Sequence, residues 1–252
     1  MGTEARCSRN WLVSSVAALV ASAAAISFVA SFGARAVAAE GDGASQSAIY
    51  GPGTPLPTKV GSELWAQLLE GNRRFVRGAL TTRAVIGRRE QLAHEDRPKI
   101  ICLCCSDSRV PPELVFDQAI GDVYVVRTAG NVADAVALGS LEHAVEHLLG
   151  SLLVVLGHEN CSIVAAAASG EPMPTPNLES IVKRIRPALA TVDPASTGKD
   201  QIALKQVEAN VQRSARALLE ESPILHAAVG KGNLALYKGV VRIASGEVTR
   251  LK

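Results

Sequence analysis

Three side chains suited to binding a soft metal ion follow two apolar segments of the chain. Cys105 comes directly after the apolar run 100–104, and His158 and Cys161 follow the run 152–156. Such runs are typical of parallel strands covered on both faces, whose carboxyl ends meet at one edge of a sheet. We therefore expect the three side chains to converge there. Two sulfur atoms and one imidazole suit zinc, and three protein ligands with a fourth position left to water are typical of a catalytic zinc site.

The cysteine pattern also admits another interpretation. The chain has 5 cysteines, and four would remain after removal of a leader; in an exported protein these would ordinarily form two disulfides. The crowding of Cys102, Cys104 and Cys105 in one segment, with Cys161 far downstream beside a histidine, favours metal ligands instead. Cys161 is expected in the first turn of a helix, where the dipole favours the thiolate. Cys102 is interpreted as a small buried apolar residue inside a strand.

The elements that must position these residues alternate between strands and helices. Apolar runs at 100–104, 123–126 and 152–156 predict parallel strands, and the helical pattern at 134–149 predicts a crossover between the last two. Further helices are predicted at 62–77, with Ser62 as cap, at 85–93, 161–168, 178–186 and 202–221, and a last strand at 234–243. Pro187 is expected to end the helix before it. The fold class is α/β, one domain with a central, mainly parallel sheet flanked by helices.

The first 38 residues have the composition of an export signal. Arg6 and Arg9 precede an uncharged run at 11–34, and an Ala-x-Ala cleavage site ends at residue 38. An uncleaved membrane anchor is the alternative, because the run approaches the ~20 residues that span a bilayer. Cleavage is favoured by the small-residue site and the polar stretch after it. We assign residues 1–38 to a signal peptide, 39–60 to a linker and 61–252 to a zinc-dependent catalytic domain that is soluble and periplasmic or secreted.

The charge and the glycine pattern exclude several classes of partner. The 26 Lys and Arg residues against 24 Asp and Glu residues leave a net charge of +2, and the excess lies before residue 39. A nucleic-acid-binding domain should show a basic excess or stripe, so no nucleic-acid partner is expected. The glycines form neither a dinucleotide fingerprint nor a phosphate loop, and no serine lies in a hydrolase elbow. Neither a nucleotide cofactor nor serine hydrolysis is expected.

Segments spread along most of the predicted domain resemble the β-class carbonic anhydrases. They are LLEGNRRF at 68–75, CSDSRVPPEL at 105–114, GDVYVVRTAGN at 121–131, GSLE at 139–142 and GHENC at 157–161. The resemblance implies zinc on Cys105, His158 and Cys161, with a dyad of Asp107 and Arg109 beside it. It implies reversible hydration of carbon dioxide to bicarbonate and a proton by zinc-bound hydroxide. It also implies a homodimer or a dimer-based tetramer, with leading helices that wrap over a neighbour as an arm.

The chemistry of the dyad residues agrees with this resemblance. Two thiolates and a neutral imidazole cancel the charge of zinc, so acidifying a bound water needs further electrostatic help. Asp107 can accept the proton of the nucleophile and aim it at carbon. Arg109, two residues on, holds Asp107 in an ion pair; otherwise the carboxylate would gain a proton or occupy the open zinc position as a fourth ligand in a resting state.

Several positions depart from the family pattern or take their role from it alone. Glu95 and Asp96 stand where many relatives have Gly-Gln, and a carboxylate at the substrate cavity would repel bicarbonate. Tyr124 stands where relatives have an aromatic residue near the cavity and is interpreted as its wall. His143 replaces a common tyrosine, and His147 follows one helical turn later. Both are interpreted as core or interface histidines, with a proton relay as the alternative.

The same ligand set allows two other functions. Hydrolysis of a carbon dioxide analogue, carbonyl sulfide or carbon disulfide, needs the same zinc centre and differs in the shape of the cavity. A non-catalytic protein that binds zinc or bicarbonate is the alternative from another class, and Glu95-Asp96 is the feature that motivates it. The intact ligand set and dyad favour the hydration enzyme.

Overall fold

The computed structural model of this chain describes residues 57–252 apart from 84, 95, 194–197 and 199–200. The predicted signal peptide, most of the predicted linker and Glu95 lie outside the described residues. The helices are α1 Pro57–Val76, α2 Val85–Leu92, α3 Pro112–Val115, α4 Ala135–His147, α5 Ser162–Ser169, α6 Pro176–Leu189, α7 Ile202–Glu221 and α8 Pro223–Gly230. The strands are β1 Ile100–Cys105, β2 Val123–Thr128, β3 Leu152–His158, β4 Ala235–Val241 and β5 Val248–Leu251. None of these helices combines the length and apolar character that a membrane span requires.

A five-stranded sheet forms the centre of the described chain. Its strands lie in the order β2-β1-β3-β4-β5; the first four are parallel, and β5 pairs antiparallel with β4. Every residue of β1 and of β3 is buried, as their continuous apolar runs predicted. The α/β class with a mainly parallel sheet is therefore confirmed.

Helices cover both faces of the sheet because successive strand residues point to opposite sides. Ile101 and Leu103 of β1 pack into the core shared with α4 to α8. Cys102 and Cys104 point to the other face, into the core that contains Trp65 of α1. Both thiols are free and almost fully buried. The interpretation of Cys102 as a buried apolar residue is confirmed.

The structure corrects several predicted boundaries. α1 begins at Pro57, so Ser62 lies inside the helix and does not cap it. α6 continues through Pro187 and ends two residues later, at Leu189. The proline removes the hydrogen bond to the Lys183 carbonyl, but little helix follows it to be displaced. The sequence analysis also missed α3 and α8, which have only four and eight residues. α3 is too short for a helical pattern of apolar residues to develop.

A buried amide in the LLEGNRRF segment joins the first helix to the last strand. Asn72 is buried in α1, and its Nδ2 donates to the carbonyls of Val115 at 3.0 Å and Gly246 at 2.8 Å. Its Oδ1 accepts from the backbone N–H of Val248 at 2.9 Å. Asn72 therefore fixes α1 against both α3 and the hairpin of β4 and β5.

A buried carboxylate ties the segment after α1 to the end of α3. Asp117 accepts hydrogen bonds from Arg74 Nε, from Arg83 Nη1 at 2.7 Å, and from the Thr81 N–H at 3.1 Å and hydroxyl at 2.8 Å. Burial alone would raise the pKa of Asp117, but the bonds from Arg83, Arg74 and Thr81 hold it well below its usual value. The carboxylate is therefore ionised at neutral pH and anchors this segment.

Replacing Asp117 with Asn should lower the free energy of unfolding by about 2–3 kcal/mol at pH 7, because two guanidinium groups lose their anion. A carboxylate whose pKa is lowered by folding stabilises the protein above its unfolded pKa of about 3.9. The deficit of the variant should therefore shrink as the pH falls below about 4. Urea denaturation at several pH values measures this. Glu220→Gln, which removes an exposed ion pair with Arg213, is the control and should change stability little. Equal stability of the two variants would contradict the expectation.

Candidate metal centre

Three buried side chains with metal-binding atoms meet at the carboxyl edge of the sheet. Cys105 is the last residue of β1, His158 is the last residue of β3, and Cys161 is the residue that caps the start of α5. Their candidate ligand atoms lie within 4.8 Å of one another. The structure therefore brings together all three predicted ligands, and we call them the donor set.

The geometry of the donor set fits a tetrahedral metal ion. Two thiolates bound to zinc at about 2.3 Å lie about 3.8 Å apart in tetrahedral geometry, and the Sγ atoms of Cys105 and Cys161 are 3.9 Å apart. His158 is almost fully buried, and its Nδ1 lies 2.9 Å from the Glu159 carbonyl, which makes Nδ1 the donor nitrogen. Its Nε2 has no hydrogen-bond partner among the described residues. A buried lone pair left without a partner is costly, and a metal ion would satisfy it.

The two thiols of the donor set interact with each other across 3.9 Å. The hydrogen bond with Cys161 lowers the pKa of the Cys105 thiol, and the backbone N–H of Gly130, 3.3 Å from Cys105 Sγ, lowers it further. The same sulfur–sulfur hydrogen bond raises the pKa of Cys161. A metal ion binds both sulfurs as thiolates, so metal binding releases the protons that they hold and is favoured as the pH rises. The thiolate expected at Cys161 stays a prediction.

A left-handed turn aims the N–H of Gly130 at Cys105. Gly130 has a φ of 67° and Asn131 a φ of 46° in the short turn Ala129–Asn131. Two side-chain amides hold this turn to α7: Asn210 Nδ2 donates to the Gly130 carbonyl at 2.8 Å, and Asn131 Nδ2 donates to Ser214 Oγ at 3.1 Å. Asn210 was not predicted from the sequence, where its only signal is an amide among the apolar positions of a helix.

The guanidinium group of Arg109 donates two parallel hydrogen bonds to the carboxylate of Asp107. Its Nε donates to Oδ1 at 2.9 Å and its Nη2 to Oδ2 at 2.7 Å, and its backbone N–H donates to Oδ1 at 2.9 Å. The side-chain bonds from Arg109 hold the pKa of Asp107 well below its usual range, so the carboxylate is ionised at neutral pH. Asp107 Oδ2 lies 3.7 Å from His158 Nε2. The predicted pair therefore borders the donor set, with its carboxylate facing the ligand atoms.

A second arginine, which the sequence analysis missed, fixes the loop after β1. Arg127 of β2 donates from Nε to the Cys105 carbonyl at 3.0 Å and from Nη2 to the Asp107 carbonyl at 2.6 Å. Arg127 thereby fixes the backbone of Cys105 relative to the backbone of Asp107. The available signal was a charged residue near the end of an otherwise apolar strand.

The structure does not bring the two predicted cavity residues to the donor set within one chain. Tyr124 pairs in register with Ile101, four residues before Cys105, which is about 13 Å along a strand. Asp96 is exposed and precedes β1, at the opposite edge of the sheet from Cys105. Their place in a substrate cavity stays a prediction.

The two histidines of α4 are exposed side by side. The ring centroids of His143 and His147 are 5.0 Å apart, as expected for residues one turn apart on a helix. Both side chains face solvent in the described chain, so the interpretation as core histidines is wrong. Their roles at an interface or in a proton relay stay predictions.

The donor set lies at the carboxyl edge of a mainly parallel sheet, with an Asp–Arg ion pair beside it. This arrangement defines an α/β protein with a candidate metal centre. The comparisons with known proteins then specify the family. A sequence model of the carbonic anhydrase family matches residues 100–248. A carbonic anhydrase of Mycolicibacterium smegmatis is 36% identical over 199 residues, which are 77% of this chain and 94% of that protein. The chain belongs to the β-class carbonic anhydrase family.

Solved structures agree with this assignment. The structure of the β-carbonic anhydrase CcaA has a TM-score of 0.60 and 26% identity, covering 75% of this chain and 95% of that one. One of two tetrameric β-carbonic anhydrases from the ascomycete Sordaria macrospora has a TM-score of 0.57 and 22% identity, covering 77% and 94%. The second likeness shows a shared fold.

The donor set should account for all the zinc that the protein binds, one ion per subunit. Serine in place of Cys105 or Cys161, or alanine in place of His158, should weaken zinc binding by more than about 100-fold, because a lost ligand costs more than the 10–100-fold of a lost supporting group. Elemental analysis after dialysis against a chelator measures this.

Cys102→Ser and Cys104→Ser are the matched controls, because both thiols lie on the opposite face of the sheet. They should keep their zinc. Near-full zinc in Cys161→Ser, or complete loss of zinc in Cys102→Ser, would show that the ligands are assigned wrongly.

Proposed function

We propose that this chain catalyses the reversible hydration of carbon dioxide to bicarbonate and a proton, with zinc held by Cys105, His158 and Cys161. The observation that carries the proposal is the Asp107–Arg109 pair, which presents an ionised carboxylate to a buried set of three ligand atoms. Family membership supports carbon dioxide and bicarbonate as the small-molecule substrates.

Each of the residues around the donor set has a separate role in this reaction. Zinc bound there would supply an acidified water as the nucleophile near neutral pH. Asp107 Oδ2 is placed to accept the proton of a reacting water and to orient its lone pair toward carbon. Arg109 donates to both carboxylate oxygens, which keeps Asp107 ionised and prevents the carboxylate from moving onto the open ligand position. Arg127 holds the backbone on which Asp107 sits, so the carboxylate needs no reorganisation during the reaction.

The proposal is tested by stopped-flow measurement of carbon dioxide hydration on the zinc-loaded protein. Asp107→Asn should keep its zinc and lose about 10²- to 10⁴-fold in turnover, because the amide cannot accept the proton. Arg109→Ala should lose activity as well while the metal stays bound, because the freed carboxylate can occupy the open ligand position. The two losses should not add, since both act through the same carboxylate.

Asp122→Asn is the control, because Asp122 pairs with Arg88 outside the site, and it should retain the parental rate. Parental hydration by Arg109→Ala with zinc in place, or loss of zinc from Asp107→Asn, would contradict these roles. A zinc-loaded parent without hydration activity would contradict the function and leave a zinc-binding protein. Competition with carbonyl sulfide and carbon disulfide separates hydration from hydrolysis of an analogue.

A second copy of this chain supplies the missing part of the substrate cavity in this proposal. β2 is the edge strand of the sheet, and its residues are only partly buried. Tyr124 and Val126 line a groove beside it together with Val136, which is 78% exposed. An apolar edge strand of this kind favours pairing with another chain. We therefore propose a homodimer or dimer-based tetramer on this edge, in keeping with the tetrameric proteins of the same fold.

We also propose that the protein is exported. The mature enzyme would then act in the periplasm or outside the cell and would not be attached to the membrane. Native mass spectrometry of the exported protein should show a chain that begins near Ala39, in even-numbered assemblies, because the signal is removed at the Ala-x-Ala site. A chain that retains Trp11 and fractionates with membranes would contradict cleavage. A monomer at micromolar concentration would contradict the dimer.

A further inference from the structure

A cavity of about 380 Å³ lies between α6 and α7. It remains open because small residues face one another across it: Ser180 and Pro187 on α6, Ser214 and Ala217 on α7, and Ala133 at its base. Its volume is within the range of small-ligand sites in proteins. None of its lining residues belongs to the donor set or to the Asp107–Arg109 pair, so the cavity has no part in the proposed reaction.

Three cationic side chains and one carboxylate line this cavity: Lys183, Arg184, Arg213 and Glu221. The chain as a whole is close to neutral, so this cationic excess is local. With the described residues, Arg184 donates through Nη1, to the Ala133 carbonyl at 2.6 Å and to Glu221 at 3.0 Å. Arg213 also donates through Nη1, to Glu220 at 2.8 Å. The Nε and Nη2 groups of both arginines are therefore the donors that remain for a ligand.

The inner wall of the cavity is polar and buried. Asn210 and Ser214 line it, and each is at most 5% exposed. These two side chains are the ones that hold Gly130 and Asn131 in the turn beside Cys105. A small molecule in the cavity would therefore lie next to Asn210 and Ser214, which hold the turn beside Cys105. It would remain outside the metal centre.

We propose that this cavity binds a small dianionic oxyanion, a phosphate group or a dicarboxylate, between Lys183, Arg184 and Arg213. Guanidinium groups bind such oxyanions through paired N–H donors, and the ammonium of Lys183 adds a point charge. The hydroxyl of Ser214 is a further donor, because its oxygen accepts from Asn131 and its own hydrogen remains. Glu221 competes with the anion for Arg184, and Glu220 competes with it for Arg213. A doubly charged ligand is therefore favoured over a singly charged one.

The test is isothermal titration calorimetry of the zinc-loaded protein with inorganic phosphate. Lys183→Gln and Arg213→Gln should each weaken phosphate binding by about tenfold, because each removes a charged donor. Glu221→Gln should tighten binding severalfold, because it removes the competing carboxylate and frees Arg184. This gain keeps the test decisive even if an arginine variant folds poorly, since a damaged fold does not raise affinity.

Lys205→Gln is the matched control, because Lys205 lies on α7, pairs with Glu208 at 2.7 Å and does not line the cavity. It should bind phosphate as the parent does. Phosphate bound at the metal centre would be insensitive to all of these substitutions. That result, or the absence of saturable binding, would overturn the proposal. Titration with succinate in parallel distinguishes the two ligand sources, because the tighter of the two probes identifies the phosphate group or the dicarboxylate.

Discussion

The register between β1 and β3 is the constraint on which the metal centre depends. Cys104 pairs with Leu156, so Cys105 ends its strand beside the residues that lead to His158. A shift of one residue would turn Cys105 to the opposite face of the sheet, where Cys104 now lies. Both strands are buried on both faces, so such a shift would also misplace every side chain of the two cores. Core packing therefore determines whether the ligand atoms meet.

Helix α7 couples that packing to the ligands. It crosses β3 so closely that a Cβ on Gly157 would lie 2.4 Å from Val211 Cγ2; glycine is required for this approach. One residue before Val211, Asn210 holds the carbonyl of Gly130, whose N–H reaches Cys105. The distance between helix and strand therefore also sets the position of a hydrogen bond to a metal ligand.

The sequence predicted the parts of this structure that depend on local pattern. Apolar runs predicted β1 and β3, and the residue types at their ends predicted the donor set, because parallel strands necessarily bring those ends together. Arg127, Asn210 and Asn72 were not predictable in the same way. Each binds backbone carbonyls that lie between 20 and 174 residues away, and every residue type has such a carbonyl. The path of α6 through Pro187 was missed because the cost of a proline depends on how near the helix end lies, which the pattern does not reveal.

The amide of Asn72 has a consequence for the order in which the molecule folds. Its partners at Gly246 and Val248 are 174 and 176 residues further along the chain, so α1 gains its last hydrogen bonds only when the final hairpin is in place. Contacts of such long sequence separation are formed late and slowly, because the entropy of closing the loop must be overcome first. During synthesis, the partners of Asn72 in this hairpin are absent until almost the whole chain has been made. The hydrogen bonds of Asn72 therefore join the first and last elements of the described chain only after this long loop has closed.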